Sequence, residues 1–150
     1  MTVRIIEDDI DIKAEHDALK SPDAGAIVTF TGTVRDLPDR GGLNAMTLEH
    51  YPGMTESEIE IIIKEAKARW SLKKVTVIHR VGRLLPKENI VFVGCSSAHR
   101  SMAFEGANFI MDFLKTKAPF WKLEDGPDGF YWVEARDSDE KAIDRWNNSD

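Results

Sequence analysis

Cysteine is almost absent from this chain: Cys95 stands alone. One thiol excludes an internal disulfide and a zinc site built on cysteines. Long hydrophobic runs are missing too. The longest uncharged apolar stretch, around Ile90 to Ala98, is too short to span a bilayer. The first residues, MTVRIIEDDIDIK, are acidic and contain no signal-peptide core. Neither G-x-G-x-x-G nor a P-loop occurs, so neither nucleotide-cradling fingerprint is present. There is no internal repeat, low-complexity tract or long linker. Together these absences point to a reduced, cytoplasmic protein without a membrane segment.

What is there is an ordinary globular composition, 42% apolar and 31% charged over 150 residues. That length makes one domain, residues 1–150, able to bury about 70% of its unfolded surface without a metal or disulfide. Net charge is −6, unevenly spread. Residues 1–24 carry seven acids and three bases, and residues 123–150 carry nine acids and three bases. Residues 25–122 carry ten acids and fourteen bases. A mildly basic body between acidic ends is too weakly basic for a duplex-binding surface. It suits a small anionic ligand in a local pocket, or a mixed solvated surface with no partner at all.

Periodicity supplies the elements. Residues 8–20 read as a short helix, ended by Ser21-Pro22-Asp23-Ala24-Gly25. Ala26 to Arg35 alternates as a strand with one polar face. A loop over residues 36–42 leads to a strand from Leu43 to His50, expected antiparallel to the first. Thr55 with Glu58 reads as a capping box for a helix that runs to about Trp70 and buries Ile59, Ile62, Ile63 and Ala66. Val75 to Val81 is a strand. Ile90 to Cys95, apolar almost throughout, is a central strand buried on both faces. A long helix from about His99 to Lys115 stops before Pro119. Phe120 to Leu123 and Phe130 to Glu134 flank a Gly/Pro turn, and Asp137 or Ser138 caps a final helix reaching Trp146. Strands in hairpin-like pairs between helices predict an α+β fold with largely antiparallel sheet.

Several residues invite chemistry. His99 and Arg100 follow Ser96-Ser97 where the central strand turns into the long helix. Free N–H groups at a helix start, with a cationic side chain beside them, make an anion seat for a phosphate; a surface Arg and a half-buried His are the plain alternative. Lys115, Lys117 and Lys122 surround Pro119 and two aromatics. Lys115 and Lys117 fit as helix-dipole partners, whereas Lys122, in a predicted strand beside Trp121, fits that role poorly. A lysine half neutral at pH 7 costs about 4.6 kcal/mol of destabilised charge, which burial and a neighbouring cation can supply. Arg35 closes the polar face of its strand, as a binding residue or as an exposed Arg. Cys95 sits in an apolar strand, where thiols are inert. His50 and His79 have no metal-ligand spacing. If residues 99–115 form one helix, its ends are roughly 22 Å apart. One small metabolite cannot touch Arg100 and Lys115 of the same chain, so either one of them lies outside the site or the site is shared between subunits.

Five segments in order, VTFTGTVR (28–35), LEHYPGM (48–54), VTVIHRVG (75–82), SSAHRSMAFE (96–105) and LKTKAPFWKLE (114–124), resemble the catalytic large subunit of molybdopterin synthase. The resemblance covers about residues 24 to 146. It implies an α/β hammerhead-type fold with additional antiparallel β-sheet. It also implies a homodimer carrying a small ubiquitin-like sulfur-carrier subunit at each end, a heterotetramer. The carrier's C-terminal Gly-Gly thiocarboxylate would give its sulfur to cyclic pyranopterin monophosphate, and two transfers would form the dithiolene of molybdopterin, with no cofactor or metal in the step. By the same resemblance Lys115 and Lys122 are catalytic. Thr33, Val34 and Arg35 contact substrate, as do Leu123 and Glu124. His99 and Arg100 hold the pterin phosphate at the dimer interface, and Arg136 contacts the carrier tail. The rivals are a non-catalytic anion-binding regulatory dimer, a Cys95-dependent sulfurtransferase, and a scaffold in which His99 and Arg100 serve only dimerisation.

Overall fold

The computed structural model describes residues 1–38, 41–127, 129–133 and 137–147. In chain order the elements are β1 (Thr2–Ile6), α1 (Ile12–Asp17), β2 (Ala26–Thr33), β3 (Ala45–His50), α2 (Met54–Arg69) and β4 (Leu72–Arg80). Then come β5 (Gly82–Leu84), β6 (Asn89–Ser97), α3 (Arg100–Leu114), β7 (Phe120–Gly126), β8 (Gly129–Val133) and α4 (Asp137–Asn147). They build two four-stranded sheets, β1-β4-β6-β2 and β5-β3-β7-β8. The fold is α+β, and its second sheet is antiparallel throughout.

β6 is the central strand the apolar run predicts, antiparallel to β4 on one side and β2 on the other. Its two faces meet different partners. Val91, Val93 and Cys95 pack with Ile59, Ile62, Ile63 and Ala66 of α2 and with Ala107, Phe109, Ile110 and Leu114 of α3. Phe92 turns the other way, against Ile10, Leu19 and Ile78. That second layer is why even β6 glycine is constrained: a Cβ on Gly94 would lie 2.4 Å from Leu19 Cδ1. Ile27, which alternation puts on the same face of its strand as Thr29 and Thr31, packs in this layer as well. α3 is held against the sheet by close approach, since a Cβ on Gly106 would lie 2.9 Å from Leu72 Cδ1. Trp146 of α4 completes the helical layer, its indole N–H donating to Asp112 of α3 at 2.6 Å. Among the described residues, no helix is long and apolar enough to cross a membrane.

Three expectations need correction. β3 does not pair with β2. It lies between β5 and β7, and its Met46 and Leu48 build a separate core with Val34, Leu43 and Leu84. The eleven residues between β2 and β3 are too many for a tight hairpin, which uses two to five. Second, β1 and β5 were not foreseen. β1 pairs parallel with β4, Val3 opposite Val77, so its partner is remote in sequence and no local pattern announces it. The first helix is correspondingly shorter than residues 8–20, with Asp11 capping it through the Ala14 N–H. Third, Thr55 is not the cap of α2. Gly53 starts that helix with φ +85°, and Glu56, not Glu58, accepts from the Gly53 N–H at 2.9 Å.

Thr55 is instead fully buried, where it joins two segments. Its Oγ1 accepts from the Tyr51 N–H at 3.0 Å and donates to the Pro119 carbonyl at 3.0 Å. This fastens the start of α2 to the turn between α3 and β7. Thr55→Val keeps the shape and strands both partners. It should lower stability by about 1–3 kcal/mol, read as a fall in urea midpoint at unchanged m-value.

Candidate active site

A cavity of about 520 Å³ opens where the two sheets meet the C-terminal end of α3. The first sheet contributes residues of β2, His79 of β4, and Ile90 and Val91 of β6. The second contributes Leu48, Phe120, Lys122, Glu124 and Val133. α3 and the turn after it add Met111, Leu114, Lys115 and Ala118. Ile90 packs against both apolar cores, so the floor is fixed by each sheet.

Strand geometry selects the side chains. Along β7, residues 120, 122 and 124 share one face, and all three line the cavity. Lys122 lies in register between Leu48 and Val133, so apolar neighbours flank it on both strands. Glu124 is buried on the same face. Trp121 and Leu123 lie on the opposite face, where Leu123 is opposite Thr47 and Trp132 and Trp121 is exposed near Tyr51. Lys115 is the C-cap of α3, its N–H bonded to Met111 O, so its cation sits at the negative end of the helix. Arg35 stands at the cavity just past β2. The residue before it is clamped: Val34 donates to Glu88 O at 2.9 Å and accepts from Lys87 N at 2.8 Å. Asp36 Oδ1 closes the following loop by accepting from Leu37 and Leu43, both at 2.8 Å.

The structure therefore brings Thr33, Arg35, Lys115, Lys122 and Glu124 to one cavity. Val34 packs in the second core and Leu123 faces away. Arg136 lies outside the described residues. His99 and Arg100 are elsewhere, exposed at the N-terminal end of α3. With Gly25, Ala98 and Ser101 they line a second cavity of about 430 Å³. Gly25 is required there, because a Cβ would lie 2.5 Å from Ala98 O. Its N–H bonds Ser97 O at 3.0 Å, and the Ser97 hydroxyl bonds His99 O, so the turn into α3 is fixed from both sides. The fifteen residues of α3 separate the two cavities by roughly 22 Å of helix.

Cys95 is fully buried in the helical-side core, and burial pushes its thiol up to about 12. It holds no thiolate at neutral pH and opens on no cavity described above, which removes the nucleophile from a Cys95 mechanism.

Sequence reasoning weighed His79 only as a metal ligand. In the structure it lines the cavity, stacked on Phe120 with ring centroids 3.8 Å apart. Its Nδ1 lies 2.8 Å from the Arg80 carbonyl, so Nδ1 carries the proton and Nε2 the lone pair. Burial, reinforced by the positive charges of Lys115 and Lys122, holds its pKa down to about 4. The signal was available: Val75, Val77 and His79 share one face of a strand, so the histidine had to enter the helical-side core.

Residues 5–117 match the family model described as MoaE protein. The chain belongs to the MoaE family. It is 61% identical over 122 residues to the molybdopterin synthase catalytic subunit of Escherichia coli K12, covering 81% of each chain. The corresponding Rhizobium meliloti subunit is 55% identical over 150 residues, covering 97% of this chain and 96% of that one. The solved molybdopterin biosynthesis MoaE protein of Burkholderia ambifaria superposes with a TM-score of 0.85 at 51% identity, over 99% of both chains. MoaE membership makes this chain an enzyme subunit of the molybdopterin synthase type, acting in sulfur transfer for molybdenum cofactor biosynthesis. The family match stops at residue 117, and the longer Rhizobium and Burkholderia alignments extend over the strand that carries Lys122 and Glu124.

His79 gives this site a stability signature. A folded-state pKa near 4, below the ordinary 6.5, means that only the unfolded chain binds the proton between those values. Stability should rise with pH from about 4 to about 6.5, by up to about 3 kcal/mol, and be level in this respect outside that window. Denaturation across that range should show this slope in the native chain, reduced in His79→Phe.

Proposed function

We propose that this subunit takes sulfur from the C-terminal Gly-Gly thiocarboxylate of a small ubiquitin-like carrier subunit and passes it to cyclic pyranopterin monophosphate. Two such transfers form the dithiolene of molybdopterin. The carrying observation is the convergence of Arg35, Lys115 and Lys122 on one cavity that also holds a buried carboxylate, Glu124, and a neutral histidine. The relatives are described as catalytic subunits, wording that itself implies a further subunit.

The chemistry follows from charge and dryness. A thiocarboxylate is an anion, and each charge-assisted hydrogen bond to it contributes about 1.5–3 kcal/mol. Lys115 and Lys122 hold its terminal atoms, stabilise the anionic or covalent intermediate and move protons as sulfur attacks. Arg35, with Thr33 beside it, supports the substrate at the cavity's β2 side. Glu124 shares the Lys122 face and bears on that lysine. Phe120, Met111 and Leu114 exclude water, which protects the thiocarboxylate from hydrolysis. Val34 acts through its clamp on Arg35, and Leu123 through the packing of the strand that carries Lys122. Arg136 is assigned to the carrier tail on family resemblance alone.

The pterin phosphate sits at His99 and Arg100, where a helix N-terminus and a guanidinium favour an anion. Since α3 keeps that seat away from its own lysines, the subunit works as a homodimer within a heterotetramer, each site combining lysines of one chain with His99 and Arg100 of the other. The step uses no cofactor or metal, and it runs in the reducing cytoplasm without nucleic acid or membrane.

A single-turnover assay with thiocarboxylated carrier and cyclic pterin monophosphate tests this. Wild type and Cys95→Ala should form dithiolene at similar rates, and Lys115→Ala should be slower by about 100-fold or more. Carrier and pterin that both bind wild type without product would defeat the reading and leave an anion-binding module.

A further inference from the structure

Arg35 is aimed by its backbone. It stands just beyond the register shift between Gly32 and Thr33, where the regular pairing of β2 with β6 ends. Among the described residues its guanidinium has no hydrogen bond or ion pair. Its direction comes from Val34, whose side chain is buried and whose N–H and C=O are both bonded to the turn at residues 85–88. The aim of Arg35 is therefore as firm as that turn. Lys87 holds φ at +78° there, a left-handed conformation that persists in a residue with a Cβ when its surroundings enforce it. Glu88 closes the turn. Its N–H donates to the Leu85 carbonyl at 3.1 Å, and its carboxylate accepts from the Leu85 N–H.

Arg80 braces this turn from the protein interior, its side chain only 7% exposed. Nη1 donates to the Asn89 carbonyl at 3.0 Å and lies 3.7 Å from Glu88 Oε1. Nη2 and Nε donate to the Glu7 carbonyl just past β1, at 2.9 and 3.3 Å. Asp9 Oδ1, 3.9 Å from Nη1, accepts from the Asn89 side-chain amide at 3.1 Å. A planar fork reaches carbonyls in two directions at once, which a single ammonium does not. The Arg80 carbonyl meanwhile fixes the imidazole of His79 in the cavity. For stability alone a buried cation is a poor choice, since a well-packed apolar side chain often serves as well or better. This one joins the end of β1 to the 85–89 segment and, through two main-chain bonds, to the residue before Arg35.

We infer that Arg80 is a positioning residue for the sulfur-transfer step, acting on Arg35 through the turn at residues 85–88 and Val34. The inference rests on the reading of Arg35 as a substrate support and adds what holds it in place. Without the fork, the Asn89 carbonyl and the Glu88 carboxylate lose their common anchor. The turn then relaxes from its left-handed residue, and Val34 no longer fixes the direction of the chain into Arg35. Lys115 and Lys122 are carried by α3 and β7, so they keep their places. The damage falls on one cation of the cavity.

A double-mutant cycle tests this with the full chain, thiocarboxylated carrier and cyclic pterin monophosphate. The readout is the single-turnover rate of dithiolene formation, which stays measurable in slow variants. Arg80→Lys keeps the charge and removes the fork. It should slow the reaction about tenfold or more. In an Arg35→Ala chain the same substitution should change the rate by less than about twofold, because the residue it acts through is gone. Glu88→Ala leaves the Arg80 bonds to Glu7 and Asn89 in place. It should show a smaller loss with the same dependence on Arg35, and it carries the test if Arg80→Lys does not fold. Equal slowing with and without Arg35 would overturn the inference and leave Arg80 a stabilising residue. Full activity in a folded Arg80→Lys chain would overturn it too. A wild-type chain without product, or an Arg35→Ala chain as fast as wild type, would remove the reading beneath the inference and the inference with it.

Discussion

The seating of α3 on β6 governs this molecule. Gly106 lets the helix close on Leu72, and Ala107, Phe109, Ile110 and Leu114 lock it to the sheet. Once the helix is fixed, its two ends are fixed. One end places His99 and Arg100 beside Gly25. The other delivers Lys115 to the junction of the two sheets. A rigid rod cannot bend to bring both of its ends to one small molecule within one chain, and the proposed sharing of the site between two chains follows from that rigidity.

The junction itself is an electrostatic device. Lys115 and Lys122 come to one cavity with Arg35, beside the buried Glu124. His79 registers the result: burial first, and the lysines' charge second, keep its imidazole neutral well below neutral pH. A neutral ring with its proton committed to the Arg80 carbonyl adds no further positive charge to the cluster.

Much of this is legible in the sequence alone. The apolar run at Ile90 to Cys95 announced the central strand, and the spacing of Ile59, Ile62, Ile63 and Ala66 announced the buried face of α2. The lysine segment and the His99-Arg100 pair stood out as local anomalies of charge beside an aromatic or a helix start. Non-local pairing was not legible. β1 depends on β4, its paired residues 74 positions away, and β3 abandons its sequence neighbour because Met46 and Leu48 find Val34 and Leu84. Thr55 imitated a cap because its environment, the Pro119 carbonyl, is supplied by a distant turn. For His79 the strand alternation with Val75 and Val77 indicates burial, but its stacking on Phe120 and its place in the cavity come only from the fold.

The most direct measurement is complementation between two inactive chains. Lys115→Ala and Arg100→Ala subunits would be mixed in equal amounts, allowed to exchange, and assayed for dithiolene formation with the carrier. A site completed across two chains restores one working site in each mixed dimer, so activity should return to about one quarter of wild type under random pairing. Exchange verified by mass, with activity no higher than that of either variant alone, would contradict the shared site and place the chemistry within a single chain.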